Sequence, residues 1–487
     1  MRLKNHHITF LCLSLVYLFL PSQNANIDSW YYAACVKHNA ELWNSHHLLY
    51  NGFGRLWYLT LQFFYPNIEA IATLNIMNSI AALACLFVLK ACLIKLNTEK
   101  QTAFWLTLLC GVSFGFMRFA TDAETYILPL LFSLITSYFF VHFKSWKQLI
   151  LSAFCSCLAI LFHQVHIWWG LVFVVFLLIQ KPFSIKNILL FVSFLLLVPV
   201  VYFIVFKYAN THTTFIQFVT GEYSKGNASL EFNLKNLLFT AINFMRSFIQ
   251  IHGNIFDFIP SDSVLALFLL LLMLVLYYLI FKLKPWQTVR KIENNHYKLL
   301  FVLAFVLHLI FAFLSSANAE FMVMLPFLLV LYLGCSIQFI DLRFLKTLVL
   351  VIFIWNMCFG ILPQYFLSLN KVNTQVDIAV KNPKSYFLWQ NKSLVENIIT
   401  YQKGFNIHHH YIDSRNEKFY LQVDSLLSNN HIIFIDKVSK SSISRNDFYS
   451  KQNELNLRNY ELKVFASYKS FYGENEIFLI TKKHDFK

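Results

Sequence analysis

Residues 187–206 read NILLFVSFLLLVPVVYFIVF, a run of 20 positions without a charged side chain. An α-helix of about 20 apolar residues crosses the hydrocarbon core of a bilayer, and shorter runs suffice where flanking side chains snorkel. The sequence therefore predicts about eleven spans, of which the first is alternatively a cleaved signal peptide. The predicted spans are 8–21, 69–94, 102–118, 126–143, 148–162, 167–180, 187–206, 263–281, 299–314, 321–340 and 347–367.

The overall composition supports the same class of protein. Hydrophobic residues make up 57% of the 487-residue chain and charged residues only 13%, whereas a soluble globular protein has about 25% charged residues. The formal net charge of +15 does not indicate nucleic-acid binding, because the basic residues flank the apolar runs. A soluble enzyme and a DNA-binding protein are both excluded, and an α-helical polytopic membrane protein is expected.

The basic residues also predict which loops face the cytoplasm, since lysine and arginine are retained on the inner side during insertion. An inner N-terminus places most of them inside. The outer loops of the membrane part then hold only seven: Lys37, Arg55, Arg118, Lys207, Lys225, Lys235 and Arg246.

Three segments lie outside in this topology. Two are long loops, 22–68 and 207–262, and an amphipathic helix over 232–251 is predicted at the membrane interface within the second. The third is the tail, 368–487, where Asn, Lys, Ser and Asp replace the apolar runs. Short strand-like and helical patterns there predict a small extracytoplasmic α/β domain behind a transmembrane module over 1–367.

Four short motifs follow one another along the membrane module. The first outer loop contains Asp28-Ser-Trp-Tyr-Tyr and Asn44-Ser-His-His-Leu-Leu-Tyr-Asn-Gly-Phe-Gly-Arg55. Asp122-Ala-Glu-Thr-Tyr126 follows the third span, and Ala317-Asn-Ala-Glu320-Phe-Met-Val-Met-Leu-Pro326 leads into the tenth. In order and spacing these motifs resemble the GT-C superfamily of polytopic glycosyltransferases, which includes the protein O-mannosyltransferases.

The resemblance implies that the protein takes a sugar from a polyprenyl-phosphate carrier and that Asp28 occupies the position of the catalytic aspartate. A carboxylate suits this role because it can remove the proton of an acceptor hydroxyl while the anomeric bond breaks. The alternative is that Asp28 caps a helix that begins at Ser29.

Basic side chains in the first outer loop are candidates for binding the donor phosphate. His46, His47 and Arg55 can donate hydrogen bonds to it, and Arg55 stays charged at any relevant pH. The alternative is that these side chains touch lipid headgroups.

Acidic and imidazole side chains in other outer segments complete the candidate site. Asp122 and Glu124 are expected to orient the acceptor or hold a divalent cation, and the alternative is a solvated turn in which Arg118 pairs with one acid. His163 and His166 share one helix face and, with Glu320, are expected to line the pocket. No metal or other cofactor is predicted with certainty.

The sequence therefore predicts a membrane glycosyltransferase of the bacterial inner membrane, with an active site facing the periplasm. Its partners are a polyprenyl-phosphate-linked sugar, membrane lipid and a glycan, lipid or protein acceptor, without nucleic acid. The alternatives are a flippase or transporter of lipid-linked sugars and a polymerase or ligase of surface polysaccharide. A transporter is disfavoured because ionisable residues crowd one side and the spans' interiors are nearly free of charge.

Overall fold

A computed structural model describes most of the chain, and it is mainly helical. The described residues are 2–180, 182–208, 213–224, 230–251, short stretches within 267–291, 296–369, 372–413, 416–437, 457–471 and 473–483.

The helices are numbered in chain order. They are α1 Arg2–Phe19, α2 Ile27–His38, α3 Tyr50–Phe64, α4 Ala70–Lys95, α5 Lys100–Gly111, α6 Phe114–Ala120, α7 Ile127–Phe140, α8 Trp146–Phe162, α9 Ile167–Ile179, α10 Ile185–Leu195, α11 Leu197–Tyr208, α12 Phe215–Ser224, α13 Lys235–Phe248, α14 Tyr297–Leu314, α15 Leu325–Ser336, α16 Leu342–Asn356, α17 Leu362–Phe366, α18 Asn373–Lys381, α19 Lys392–Lys403 and α20 Phe419–Ser428.

Two compact units make up the chain. The first contains Met1–Pro21 and Glu41–Leu362, and the second contains Ser22–Ala40 and Pro363–Lys487. On sequence grounds α2 falls in an outer loop of the membrane module, 22–68. In the structure, α2 instead belongs to the same unit as the C-terminal domain.

The apolar helices of the first unit match the predicted spans in position. Within the described residues, four helices are long and apolar enough to cross a membrane, and α5 and α6 give a fifth if this pair, bent by 67°, counts as one span. Five further apolar helices are shorter. Together they correspond to ten of the eleven predicted runs, while 263–281 lies largely outside the described residues. The chain is an integral membrane protein.

The bend between α5 and α6 is fixed by one buried side chain. Asn356, at the end of α16, donates to the carbonyl of Val112 at 2.8 Å and to the carbonyl of Phe248 at 2.8 Å, and its oxygen accepts from the Gln250 amide at 2.9 Å. A buried amide that satisfies three backbone groups holds those segments in a single arrangement. Asn356 thus links the α5–α6 break to the end of α13.

The second unit contains a five-stranded mixed sheet made of β3 Tyr386–Leu388, β4 His410–Tyr411, β5 Ile433–Lys437, β6 Tyr460–Ser470 and β7 Gly473–Lys482. The strand order is β4-β3-β5-β7-β6. Strands β3, β4 and β5 are parallel, and β7 joins β5 and β6 in antiparallel pairing. The strand-like runs 431–435, 462–465 and 477–481 of the sequence overlap β5, β6 and β7, and its helical patterns 395–401 and 418–427 overlap α19 and α20. In the first unit, β1 Arg290–Lys291 pairs with β2 Ile337–Phe339.

Candidate functional site

The predicted histidine pair lies in a short turn of the first unit. Ser45–His47 form one 3-10 turn, and the Asn44 side chain caps it by accepting from the His46 amide at 3.0 Å. His46 and His47 are 4% and 9% exposed. The alternative, in which these side chains touch lipid headgroups, does not fit His46 and His47, because both imidazoles are buried.

A line of ring contacts leads from this turn to a carboxylate. The His47 ring lies 5.4 Å from that of His163, and His163 lies 5.1 Å from Tyr126. The Tyr126 hydroxyl donates to Oε2 of Glu320 at 2.8 Å. Four residues from separate parts of the sequence, three of them predicted site residues, thus meet in one cluster in which only Glu320 is half-buried rather than buried.

Burial determines the charge of the histidine turn. It lowers the pKa of His46 to about 4. It also lowers the pKa of His47 well below its ordinary value, with further contributions from His163 and His46. At neutral pH both imidazoles are uncharged, so each can donate a single N–H and adds no net positive charge.

The acidic motif after α6 is also buried. Asp122 and Glu124 are 0% and 2% exposed, and Nδ2 of Asn78 donates to their backbone carbonyls at 2.8 and 2.6 Å. Arg118 pairs with Asp122 at 2.7 Å. The predicted pairing with Arg118 is confirmed, but the solvated turn is wrong, since both acids are buried.

A second arginine joins Arg118 from α13. Arg246 is half-buried, and its guanidinium carbon lies 5.8 Å from the Phe114 ring. Burial lowers the pKa of Arg246, the neighbouring Arg118 lowers it further and Glu320 opposes both effects. The charges of Arg118 and Glu320 thus act on Arg246, and two guanidinium groups and one carboxylate belong to the same electrostatic neighbourhood.

Arg246 was not predicted as a site residue from the sequence. Arg118 was predicted only as the partner of an acid. The sequence feature that could have indicated Arg246 is its place among the polar residues of the amphipathic helix predicted over 232–251. Asn356 explains how α6 and α13, which carry the two residues, are held together, because it links the break before α6 to the end of α13.

The second predicted histidine of the pair, His166, is buried like His163. Its Nδ1 is 2.7 Å from the Ser133 hydroxyl, and its ring stacks on Trp169 at 6.2 Å. His308 of α14 is 6.1 Å from His166. His166 is 1% exposed and belongs to the wall of the cluster, while His308 was not singled out from the sequence.

Two further predicted site residues, Arg55 and Asp28, lie on α3 and α2. Arg55 lies on α3, half-buried, with its guanidinium carbon 5.6 Å from the Tyr58 ring. Asp28 lies in the second unit, exposed in the first turn of α2. The helix-cap alternative for Asp28 is wrong, because Asn26 is the cap and its side chain accepts from the Ile27 amide at 2.8 Å.

Metal binding was left open by the sequence. Among the residues that the structure describes, no group of three or more His, Cys, Asp or Glu side chains is arranged to hold a metal ion. The carboxylate of Asp122 is occupied by Arg118 in this arrangement.

Comparisons with known proteins agree with the fold. No protein-family model and no curated protein sequence matches the chain. The crystal structure of ArnT from Cupriavidus metallidurans bound to undecaprenyl phosphate is similar, with a TM-score of 0.54, 11% identity and 97% of each chain covered. The apo structure of the same protein gives a TM-score of 0.55 at 10% identity over 98% of each chain. The chain therefore has the fold of these ArnT structures over nearly its whole length, as its resemblance to the GT-C superfamily implied.

Proposed function

We propose that the protein is a membrane glycosyltransferase that moves a sugar from a polyprenyl-phosphate donor to a glycan, lipid or protein acceptor. The observation that carries the proposal is the cluster of His47, His163, Tyr126 and Glu320, whose carboxylate also acts electrostatically on Arg246. The similar ArnT structure is described as bound to undecaprenyl phosphate, which supports a donor of that class. The proposed location is the bacterial inner membrane, with the site on the periplasmic side.

In this proposal the donor phosphate binds at Arg118 and Arg246. Negative charge grows on that phosphate as the sugar departs, and guanidinium groups fixed in advance stabilise the growing charge. His46 and His47 each supply one N–H donor without adding charge, and Arg55 remains a proposed further contact to the carrier. The salt bridge from Arg118 to Asp122 keeps the first guanidinium in place.

Asp28 is proposed as the general base. Its carboxylate takes the proton of the acceptor hydroxyl, the acceptor oxygen bonds to the anomeric carbon and the bond from that carbon to the phosphate oxygen breaks. The products are the glycosylated acceptor and polyprenyl phosphate. Asp122 and Glu124 are proposed to orient the acceptor, Asp122 through the guanidinium that it binds, while His163, His166 and Glu320 line the pocket.

Mass spectrometry of co-purifying lipids tests this proposal. The wild-type protein should retain polyprenyl-phosphate lipid. The Asp28→Asn variant should retain the sugar-bearing form while its transfer rate falls about 10²- to 10⁴-fold, because loss of a general base has that effect. Arg246→Ala should lose the lipid, and Lys147→Ala, an exposed residue of α8, is the control.

Three results would contradict the proposal. A folded Asp28→Asn protein with near-normal turnover removes Asp28 from the reaction. A wild-type protein that moves the lipid-linked sugar across the membrane without breaking its glycosidic bond is a flippase, and one that transfers a whole glycan is a polymerase or ligase.

A further inference from the structure

The helix that carries Asp28 is built into the C-terminal domain. Residues 22–40 and 363–487 form one compact unit although most of the chain separates them in sequence. Within this unit α2 packs along α19. Trp30 of α2 also packs against the buried core that includes Phe387 and Phe434 of the sheet. The C-terminal domain is therefore incomplete without α2.

Side chains of α19 contact α2 at its start and along its length. Nδ2 of Asn397 donates to the carbonyl of Ile27, the residue before Asp28, at 2.9 Å. The Tyr401 ring lies edge-on to Trp30 at 5.2 Å. Nζ of Lys37 lies over the same Tyr401 ring, 4.2 Å from the ring centroid. One helix of the domain thus holds both the first and the last turn of α2.

Contacts at the two ends of α2 complete the attachment. At its end, Nε2 of His38 is 3.0 Å from the Tyr401 carbonyl. Before its start, Nδ2 of Asn24 donates to the carbonyls of Gln364 and Leu367 at 2.9 and 2.7 Å, and its oxygen accepts from the Leu369 amide at 2.9 Å. A buried side chain with three such bonds fixes the entry of the chain into α2.

We propose that the C-terminal domain positions Asp28 for catalysis and that Asn397 and Tyr401 are positioning residues that act through α2. The proposal rests on the proposed function, in which Asp28 is the base. Reacting groups must lie within about 3–3.5 Å of each other in an aligned geometry, and a displacement of about 1 Å reduces the rate about 10²-fold. The exposed carboxylate of Asp28 lies in the first turn of α2, where Asn397 binds.

A kinetic double-mutant cycle tests the proposal in the full-length protein. Asn397→Ala should lower kcat about 10-fold and leave the KM for the lipid donor unchanged, because it moves the base and not the phosphate site. Gln402→Ala, an exposed position of the same helix, is the matched control and should have wild-type kinetics. In an Asp28→Asn background, Asn397→Ala should cause no further loss, since its effect passes through Asp28.

Two substitutions of Tyr401 provide a second test of the positioning role. Tyr401→Ala should lower kcat more than Asn397→Ala does, whereas Tyr401→Phe keeps the ring and the backbone carbonyl and should restore kcat to near the wild-type value. An equal loss from Asn397→Ala with and without Asp28 overturns the positioning role and leaves a merely structural one. Near-normal turnover of Asp28→Asn alone instead overturns the proposed function, so the two failures are distinguishable.

Discussion

At the scale of single residues, the buried carboxylate of Asp436 makes the stability of the C-terminal domain depend on pH. Asp436 is 3% exposed, and burial raises its pKa to about 6 although the Gln390 amide and the Gln375 side chain donate to it. A carboxyl whose folded-state pKa is raised contributes stability that is full below the unfolded pKa of about 3.9 and is lost as the pH rises through about 6. The loss at neutral pH is about 2–3 kcal/mol.

We therefore expect Asp436→Asn to stabilise the domain at pH 8 and to have little effect at pH 4. An asparagine keeps an acceptor for the Gln390 amide, and its NH₂ group can donate to Oε1 of Gln375, a buried atom that has no hydrogen-bond partner among the described residues. Hydrogen exchange of the β5 and β7 amides, normalised to α7 and α8 in the same protein, measures the change. Equal protection of the two proteins at both pH values would show that Asp436 does not titrate on unfolding.

Residue types with an obvious chemical role could be found from the sequence, but their partners could not. His47, His163 and Glu320 were named from the sequence, and the structure brings them together through Tyr126. Arg246 was missed because proximity to Arg118 depends on how separate helices pack. No local pattern encodes that packing.

At the scale of elements, α13 shows which part of an amphipathic pattern the sequence can predict. The helix lies where the periodicity placed it, over Lys235–Phe248. Its leucines are exposed, as at Leu237 with 66%, whereas Asn236 and Ser247 of its polar face are 3% and 4% exposed. The polar face turns toward the protein because backbone carbonyls of the first unit accept from its amides, as Phe313 does from Asn236 at 3.2 Å. Periodicity predicts the two faces, and only the tertiary structure decides which one is buried.

The π-helical turn Met357–Ile361 leads to a prediction about packing. A Cβ atom at Gly360 would lie 2.6 and 2.9 Å from two ring atoms of Phe114, the first residue of α6. We expect Gly360→Ala to displace α6 with Arg118, to destabilise the protein by about 1–3 kcal/mol and to reduce co-purifying lipid. Thermal unfolding and lipid mass spectrometry measure the two effects.

Gly221 is the matched control for this substitution. It lies in α12, where a Cβ atom would meet no other described atom within 4 Å. Alanine is favoured over glycine within a helix by about 1 kcal/mol. Gly221→Ala should therefore leave stability unchanged or raise it slightly, and a loss equal to that of Gly360→Ala would mean that the Phe114 contact is unimportant.

At the scale of the whole molecule, the second unit restricts the topology. Its two parts, 22–40 and 363–487, form one compact body and must lie on the same side of a membrane. The chain between them must then cross an even number of times. Nine described apolar elements lie in that interval if the bent pair counts as one, and the predicted run 263–281 supplies a tenth crossing on sequence grounds. Ten crossings are an even number, and α1 brings the total to the eleven spans predicted from the sequence.

The last prediction states which side of the membrane each segment faces. The positive-inside rule places 368–487 outside and the segment around Lys147 inside, and both Ser393 and Lys147 are exposed. In a Cys12→Ser background, which removes the one fully exposed native thiol, Ser393→Cys should react with a membrane-impermeant maleimide in intact spheroplasts. Lys147→Cys should react only after permeabilisation. The reverse pattern would place the C-terminal domain inside. Because α2 belongs to the same unit, it would also move Asp28 to the cytoplasmic side and exclude a periplasmic acceptor.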